Sequence, residues 1–380
     1  MSLARIASTL LLLASVGLPS RSALALDSTA VCTQPGMNVS WAECVTLVNL
    51  YNLTNGDQWF TRTGWGSADV ASWHGVWVEP VSGVVWTLDL AGNNLQGILP
   101  TNLAQLPGLR NLDLSDNQLV GPIPSQLGQL THLVSLRLGQ NALTGTLPPQ
   151  LGSLAQLVSL GLGDNELSGP IPTQLGQLAQ LRHLYLYGNA FSGPLPATFA
   201  QLSQLEALWL DGNTLTGPLD VLASMPQLRS VILSNNAFSG TLSPAIGTLT
   251  QLEILVAGNN HLGGPLPACL GHASALHTLA LFDNEFEGTL PPQWGHLGNL
   301  QTLSLGGNRL RGGLPTSYGA MPLAVLGLNN NELDADAQGD VLIPPALQAW
   351  FASIATTYIR FQSRGPILFQ DGFDTDPCGL

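Results

Sequence analysis

The 380-residue chain contains no lysine, and only 9% of its residues are charged. An average soluble protein has about a quarter. The charges present are mainly acidic, 24 Asp and Glu against 11 Arg, for a net charge of −13. A surface of that sign is repelled by phosphate backbones and anionic headgroups, so no nucleic-acid partner is expected. Acidity also serves solubility. The four cysteines, Cys32, Cys44, Cys269 and Cys378, contain no C-x-x-C unit, so neither a zinc ribbon nor a thioredoxin-like redox site is indicated. There is no G-x-S-x-G, H-E-x-x-H or P-loop. His272 and His277 lack the i, i+4 spacing of a helical zinc pair. Asp334 and Asp336 read as solvated turn residues. No nucleophile, base and oxyanion donor fall together, so the expectation is a non-enzyme with no metal and no cofactor.

What the chain has is punctuation: 42 Gly and 26 Pro, without the polarity of a disordered polymer. That combination implies many tight turns between short buried segments. The N-terminus reads as a secretory signal over residues 1–25, with Arg5, an apolar stretch from Ile6 to Leu18, and a small-x-small site at Ala23-Leu24-Ala25. The stretch is short for a membrane span. Loss of Arg5 and Arg21 with the leader leaves nine arginines against 24 acids, a net charge of −15. The exported chain can keep disulfides. Cys32 and Cys44 are paired here, while Cys269 and Cys378 stay open between free and paired.

The rest is one unit written many times, L-x-x-L-x-x-L-x-L-x-x-N-x-L-x-G-x-[I/L]-P. Its asparagines are Asn93, Asn117, Asn141, Asn165, Asn189, Asn213, Asn236, Asn260, Asn284, Asn308 and Asn331, spaced by 24 residues apart from two steps of 23. In Leu112 to Leu119 the leucines alternate with polar residues, the period of a strand. One coil cannot bury its own apolar face, so coils stack and their strands pair in parallel. Each Asn sits where the chain leaves its strand, and its amide is placed to bond backbone that would otherwise be orphaned. The asparagines therefore read as a structural ladder. The Gly-x-[I/L]-Pro half, as in Gly121-Pro122-Ile123-Pro124, reads as a short edge strand followed by helical or 3-10 turns.

This consensus resembles the plant-type leucine-rich repeats of receptor-kinase ectodomains and polygalacturonase-inhibiting proteins, over roughly residues 40 to 335. The resemblance implies an α/β repeat solenoid, a right-handed horseshoe with a concave parallel sheet of about 11 strands and a helical or 3-10 convex side. Residues 26–85 form the N-terminal cap, 86–335 the repeats, and 336–380 the C-terminal cap and tail. Ser40 and Glu43 match a capping box that starts a helix near Trp41 to Asn52. In the family's cap, C-x-W-x-G-V-x-C usually carries a disulfide; Ala71 and Val78 replace both cysteines here, which implies packing by Trp59, Trp65, Trp73 and Trp77 instead. His74 falls inside that motif and reads as structural. Pro344 to Tyr358 reads as a capping helix. The stretch from Leu368 to Asp374 resembles a tail of some bacterial exported proteins and points to a bacterial source. Asn38 and Asn52 head glycosylation sequons.

The outward position between the strand leucines runs Asp89, Asp113, Arg137, Gly161, Tyr185, Trp209, Ile232, Val256, Ala280, Ser304, Gly327. Tyr187 and Asp211 share the face of Tyr185 and Trp209, and Arg182, His183, Glu206 and Arg229 form a rim. Exposed Tyr and Trp among mixed charge suit a binding hot spot or sugar stacking, though cross-strand packing alone also explains them. Two further rows are Thr144, Ser168, Ser192, Thr216 and Ser239, and Gln156, Gln180, Gln204, Gln227 and Gln251. A flat hydroxyl ladder suits ice or crystalline polysaccharide. The expected protein is thus a monomeric module, secreted or else periplasmic or held at the cell surface, that recognises an extracellular protein, peptide or polysaccharide. The alternatives are an inhibitor of a secreted cell-wall-degrading enzyme and a surface-active, ice-binding protein. No kinase signature follows the repeats.

Overall fold

A computed structural model describes residues 25–336 and 339–359. The expected leader and the Leu368–Asp374 tail lie outside the described residues, as does Cys378. Among the described residues no helix is long and apolar enough to cross a membrane.

The chain enters through a helical cap. Helix Ser28–Cys32 is bridged to helix Trp41–Leu53 by the Cys32–Cys44 disulfide. Ser40 and Glu43 close the expected capping box, with the Ser40 hydroxyl accepting from the Glu43 amide at 3.3 Å and Glu43 Oε2 accepting from the Ser40 amide at 3.3 Å. Glu43 does more than cap. Its Oε1 accepts from the amide of Val85 at 3.0 Å, which ties the helix to the first strand of the main sheet. Tyr51, Trp59, Trp65 and Trp73 then pack ring on ring, with centroids 4.8 to 5.7 Å apart. Trp77 does not join them. It takes the outward side of the three-residue strand Val76–Val78 and is 49% exposed, while Tyr51 fills the fourth place in the cluster. His74 contributes its carbonyl, which accepts from Trp65 Nε1 at 3.0 Å. The sequon asparagines are engaged by backbone: Asn38 accepts from Val70 N, and Asn52 both accepts from and donates to Leu26.

From Val85 the chain coils. Eleven strands, from Val85–Asp89 to Val325–Gly327, pair in parallel as one main sheet. An antiparallel cap strand, Val76–Val78, covers one edge and Thr356–Tyr358 extends the other, for 13 strands in all. The opposite side is stapled by ten five-residue 3-10 turns, from Thr101–Gln105 to Thr316–Ala320. Between them the repeat leucines are almost wholly buried in one continuous core. At roughly 25 cal/mol per Å2 of apolar surface removed from water, each leucine contributes a few kcal/mol, but only while a neighbouring coil covers it.

Two expectations need correction. The Gly-x-[I/L]-Pro half is not an isolated edge strand. It pairs on both sides into a second, 11-stranded parallel sheet, in which Thr144 of one coil meets Glu166 of the next. Gly121, Gly145, Gly169 and Gly193 hold φ between 75° and 82°, a bend that only glycine makes cheaply before the chain drops into the 3-10 turn. The C-terminal cap is not one helix either. A 3-10 turn, Pro345–Leu347, leads to a six-residue helix, Gln348–Ser353, and Thr356–Tyr358 is strand. The open edge of Val325–Gly327 supplies unpaired backbone groups, and pairing with them outweighs one more helical turn. Asp334, read as solvated, is only 2% exposed at that end.

Candidate functional site

The ladder asparagines fix the geometry of the exposed face. In each coil the side-chain oxygen accepts from an amide of the coil before, and the side-chain nitrogen donates to carbonyls in both coils. Asn213 is typical. Its Oδ1 accepts from Phe191 N at 2.9 Å, and its Nδ2 donates to Leu186 O at 3.0 Å and Leu210 O at 2.9 Å. The same bonds recur from Asn117 to Asn331, through Asn141, Asn165, Asn189, Asn236, Asn260, Asn284 and Asn308. Asn93, with no coil before it, bonds Thr61 of the cap on both sides of its amide. Just ahead of each Asn one residue is left-handed, with φ from 51° to 70°, at Gly92, Asp116, Gln140, Asp164, Gly188, Gly212, Asn235, Asn259, Asp283, Gly307 and Asn330. Gly, Asn and Asp dominate that position because they tolerate it best.

With coils locked in this way, the outward column is a true register column. Asp113 pairs with Arg137, Arg137 with Gly161, Gly161 with Tyr185, Tyr185 with Trp209 and Trp209 with Ile232. Tyr358, on the strand added after the repeats, extends it beyond Gly327 and is 59% exposed. The structure brings the aromatic candidates together. The Tyr185 and Trp209 centroids lie 4.8 Å apart and those of Tyr187 and Trp209 6.3 Å apart, while His183 stacks on Tyr185 at 6.1 Å. Trp209 is pinned by a 2.9 Å bond from Nε1 to Ser230 Oγ. Such contacts are worth about 0.5–1.5 kcal/mol beyond area burial, and they fix the rings against one another.

Electrostatics divide the candidates. Partial burial raises the Tyr185 hydroxyl pKa, against a smaller opposing pull from Arg137. Burial raises Tyr187 as well, helped by Asp164 and Asp211. Partial burial also pushes the Asp211 carboxyl above its ordinary value, and Asp164 adds to the push. The rim behaves differently. Arg182 pairs with Glu206 at 2.5 Å and Arg229 with Glu253 at 2.8 Å. Both arginines are half exposed, so each pair is worth at most about 1 kcal/mol, but the rim neutralises itself along the strand edge.

The sequence reading missed the glycines as part of the site. Gly163 is buried beneath the ring of Tyr187; a Cβ there would lie 2.5 Å from that ring. Gly139, Gly161 and Gly163 lower the floor beside Tyr185 and Tyr187, and Arg137 rises on the opposite side. The result is a groove of about 230 Å3, with Ser115, Gln140 and Ser159 completing its lining. A run of small residues at outward positions next to aromatics was the available signal. A second hollow of about 250 Å3 adjoins it across Arg137, among Thr87, Asn111, Asp113 and Ser135. Among the described residues no group of three or more His, Cys, Asp or Glu side chains is arranged to hold a metal ion.

The Leucine Rich Repeat family model matches residues 85–106, 108–130, 132–154, 180–202, 227–249 and 299–321, six stretches in phase with the coils described above. The fold is a leucine-rich-repeat solenoid. It is similar to the ectodomain of the plant membrane receptor kinase GASSHO1/SCHENGEN3 from Arabidopsis thaliana, solved with CASPARIAN STRIP INTEGRITY FACTOR 2. The TM-score is 0.72 at 37% identity, over 76% of this chain and 34% of that one. The plant peptide hormone receptor RGFR1, solved with RGF2, matches at TM-score 0.69 and 29% identity, over 72% of this chain and 43% of that one. The solenoid thus spans about a third to under half of the length of these two receptor chains. A plant ice-binding protein matches at TM-score 0.65 and 26% identity, over 78% of this chain and 97% of that one. No curated protein matches the sequence.

Proposed function

We propose that this leucine-rich-repeat solenoid is a non-catalytic recognition module of the cell exterior, and that it binds its partner on the exposed face of the main sheet, centred on Tyr185, Tyr187 and Trp209. The observation that carries this reading is the fixed aromatic cluster. Three rings share one register neighbourhood, and among the described residues neither tyrosine hydroxyl has a hydrogen-bond partner. Large, rigid, amphipathic side chains of this kind dominate the energetics of recognition. Asp211 lies within that centre, while Arg182, His183, Glu206 and Arg229 orient its border. The similarity to receptor ectodomains that were solved with a bound partner supports the reading, as does a disulfide in the cap. The test is capture from culture medium by the purified protein. A partner retained by the wild type and lost by Tyr185→Ala/Trp209→Ala supports the site; equal retention by both refutes it.

A second reading rests on the flanking sheet. Thr144, Ser168, Ser192, Thr216 and Ser239 lie on five adjoining strands, and the likeness to an ice-binding protein covers nearly all of that protein. A repeated hydroxyl on a rigid sheet is the chemistry that an ordered water surface would engage. Ice-recrystallisation inhibition that disappears in Ser192→Lys/Thr216→Lys supports it, and absence of inhibition in the wild type removes it.

A further inference from the structure

The groove beside the aromatic cluster has a lining that narrows the class of ligand, given the recognition role proposed above. No carboxylate lines it, and its single charge, Arg137, already faces Asp113 at 3.4 Å. A cation therefore finds no carboxylate in the lining itself, although Asp164 and Asp211 act on Tyr187 from outside it, and an anion meets a chain of net charge −13. The remaining polar groups are the hydroxyls of Ser159, Tyr185 and Tyr187 and the amide of Gln140, which both donate and accept, and the hydroxyl of Ser115, which donates to Asp113 Oδ1 and is left to accept. The floor is bare backbone at Gly139 and Gly161, which carry no side chain, while the Tyr187 ring covers Gly163. A flat ring can therefore descend beside the tyrosine rings.

We infer that this groove binds a neutral oligosaccharide. A sugar ring offers hydroxyls that donate and accept, which the lining matches, and an apolar C–H face for an aromatic ring. The hollow beyond Arg137 carries the path onward among Thr87, Asn111 and Ser135, where the carboxylates of Asp89 and Asp113 add acceptors for sugar hydroxyls. From the coil of Thr87 to that of Tyr185 the strands step four times, about 19 Å at the usual strand spacing. That length suits several linked rings rather than one. Gly161 is the specificity-determining position: it separates Arg137 from Tyr185 in the register column, and any side chain there occupies the path of the ligand.

Gly161 also makes the test clean. A Cβ built on it meets nothing closer than 3.8 Å, the Cγ of Arg137, so Gly161→Leu blocks the groove without forcing the backbone. The full chain is applied to a printed array of neutral and acidic glycans together with basic peptides. The strongest neutral hit is then titrated by calorimetry against wild type, Gly161→Leu and Tyr185→Ala, with thermal unfolding recorded for each. The expected result is binding of neutral glycans alone, weakened at least tenfold in both variants, with the unfolding temperature unchanged in Gly161→Leu. Absence of any neutral hit, preference for acidic glycans or basic peptides, or full binding by folded Gly161→Leu overturns the inference. If a polypeptide captured from medium still depends on Tyr185 and Trp209 while no glycan binds, the glycan assignment fails and the recognition face stands.

Discussion

Replacing Asn213 by alanine removes one rung of the amide ladder in the middle of the solenoid. The side chain is 8% exposed and makes three bonds of 3.0 Å or shorter, to Phe191 N, Leu186 O and Leu210 O. Water cannot reach those groups without opening the stack. A buried backbone group left unpaired costs about 1–3 kcal/mol. The amide of Phe191 bears the full cost, and the two carbonyls less, since each keeps a second lone pair for another donor. The sum is a loss of about 3–4 kcal/mol, large for one substitution. Guanidinium unfolding followed by far-ultraviolet circular dichroism measures it, with the midpoint shifted and the slope retained. Asn213→Asp keeps the acceptor but loses the donor and turns a carboxylate toward two carbonyls, so it is expected to cost at least as much at neutral pH. A loss below about 1 kcal/mol for Asn213→Ala would refute the claim that the ladder, rather than leucine packing alone, holds the coils in register.

Glu43→Ala should release the cap helix from the sheet, because the carboxylate is 3% exposed and serves both Ser40 and Val85; a loss of about 2–3 kcal/mol is expected, visible as early hydrogen exchange in residues 40–53. Gly163→Ala places a Cβ 2.5 Å from the Tyr187 ring and must displace it, so near-ultraviolet circular dichroism should change while far-ultraviolet ellipticity does not. Asp211→Asn should raise the unfolding temperature at pH 7. A carboxyl whose pKa is raised in the folded state favours folding below its unfolded value, and that advantage is lost as pH climbs through the folded value. The gain from the amide should therefore vanish in acid, below the ordinary carboxylate pKa. An equal gain at pH 3 and pH 7 would contradict burial as its cause.

Much of the fold is legible because the repeat states it eleven times over. The asparagine spacing gives the coil length, the leucine alternation gives the inward face, and together they give the register column from Asp89 to Gly327 without coordinates. What is not legible comes from interactions outside one repeat. The second sheet depends on how far neighbouring coils slip against each other. Thr356–Tyr358 becomes strand because an edge stands open beside it. Trp77 turns outward because its strand alternates, although its neighbourhood is rich in tryptophan. In the site, the aromatic candidates could be named from the column, but the groove could not. It arises from residues that are absent, the side chains missing at Gly139, Gly161 and Gly163, and from Tyr187 lying back over the coil before it. Nor does the sequence show that Arg182 and Arg229 are already paired with glutamates one coil on.

The most direct measurement is one titration of the ligand captured from medium against three proteins: wild type, Tyr185→Ala/Trp209→Ala, and Ser192→Lys/Thr216→Lys on the flanking sheet. Recognition through the aromatic cluster requires affinity to fall at least tenfold, about 1.4 kcal/mol, in the aromatic variant and to stay unchanged in the flanking one. Unchanged affinity in the aromatic variant, or loss confined to the flanking variant, contradicts it.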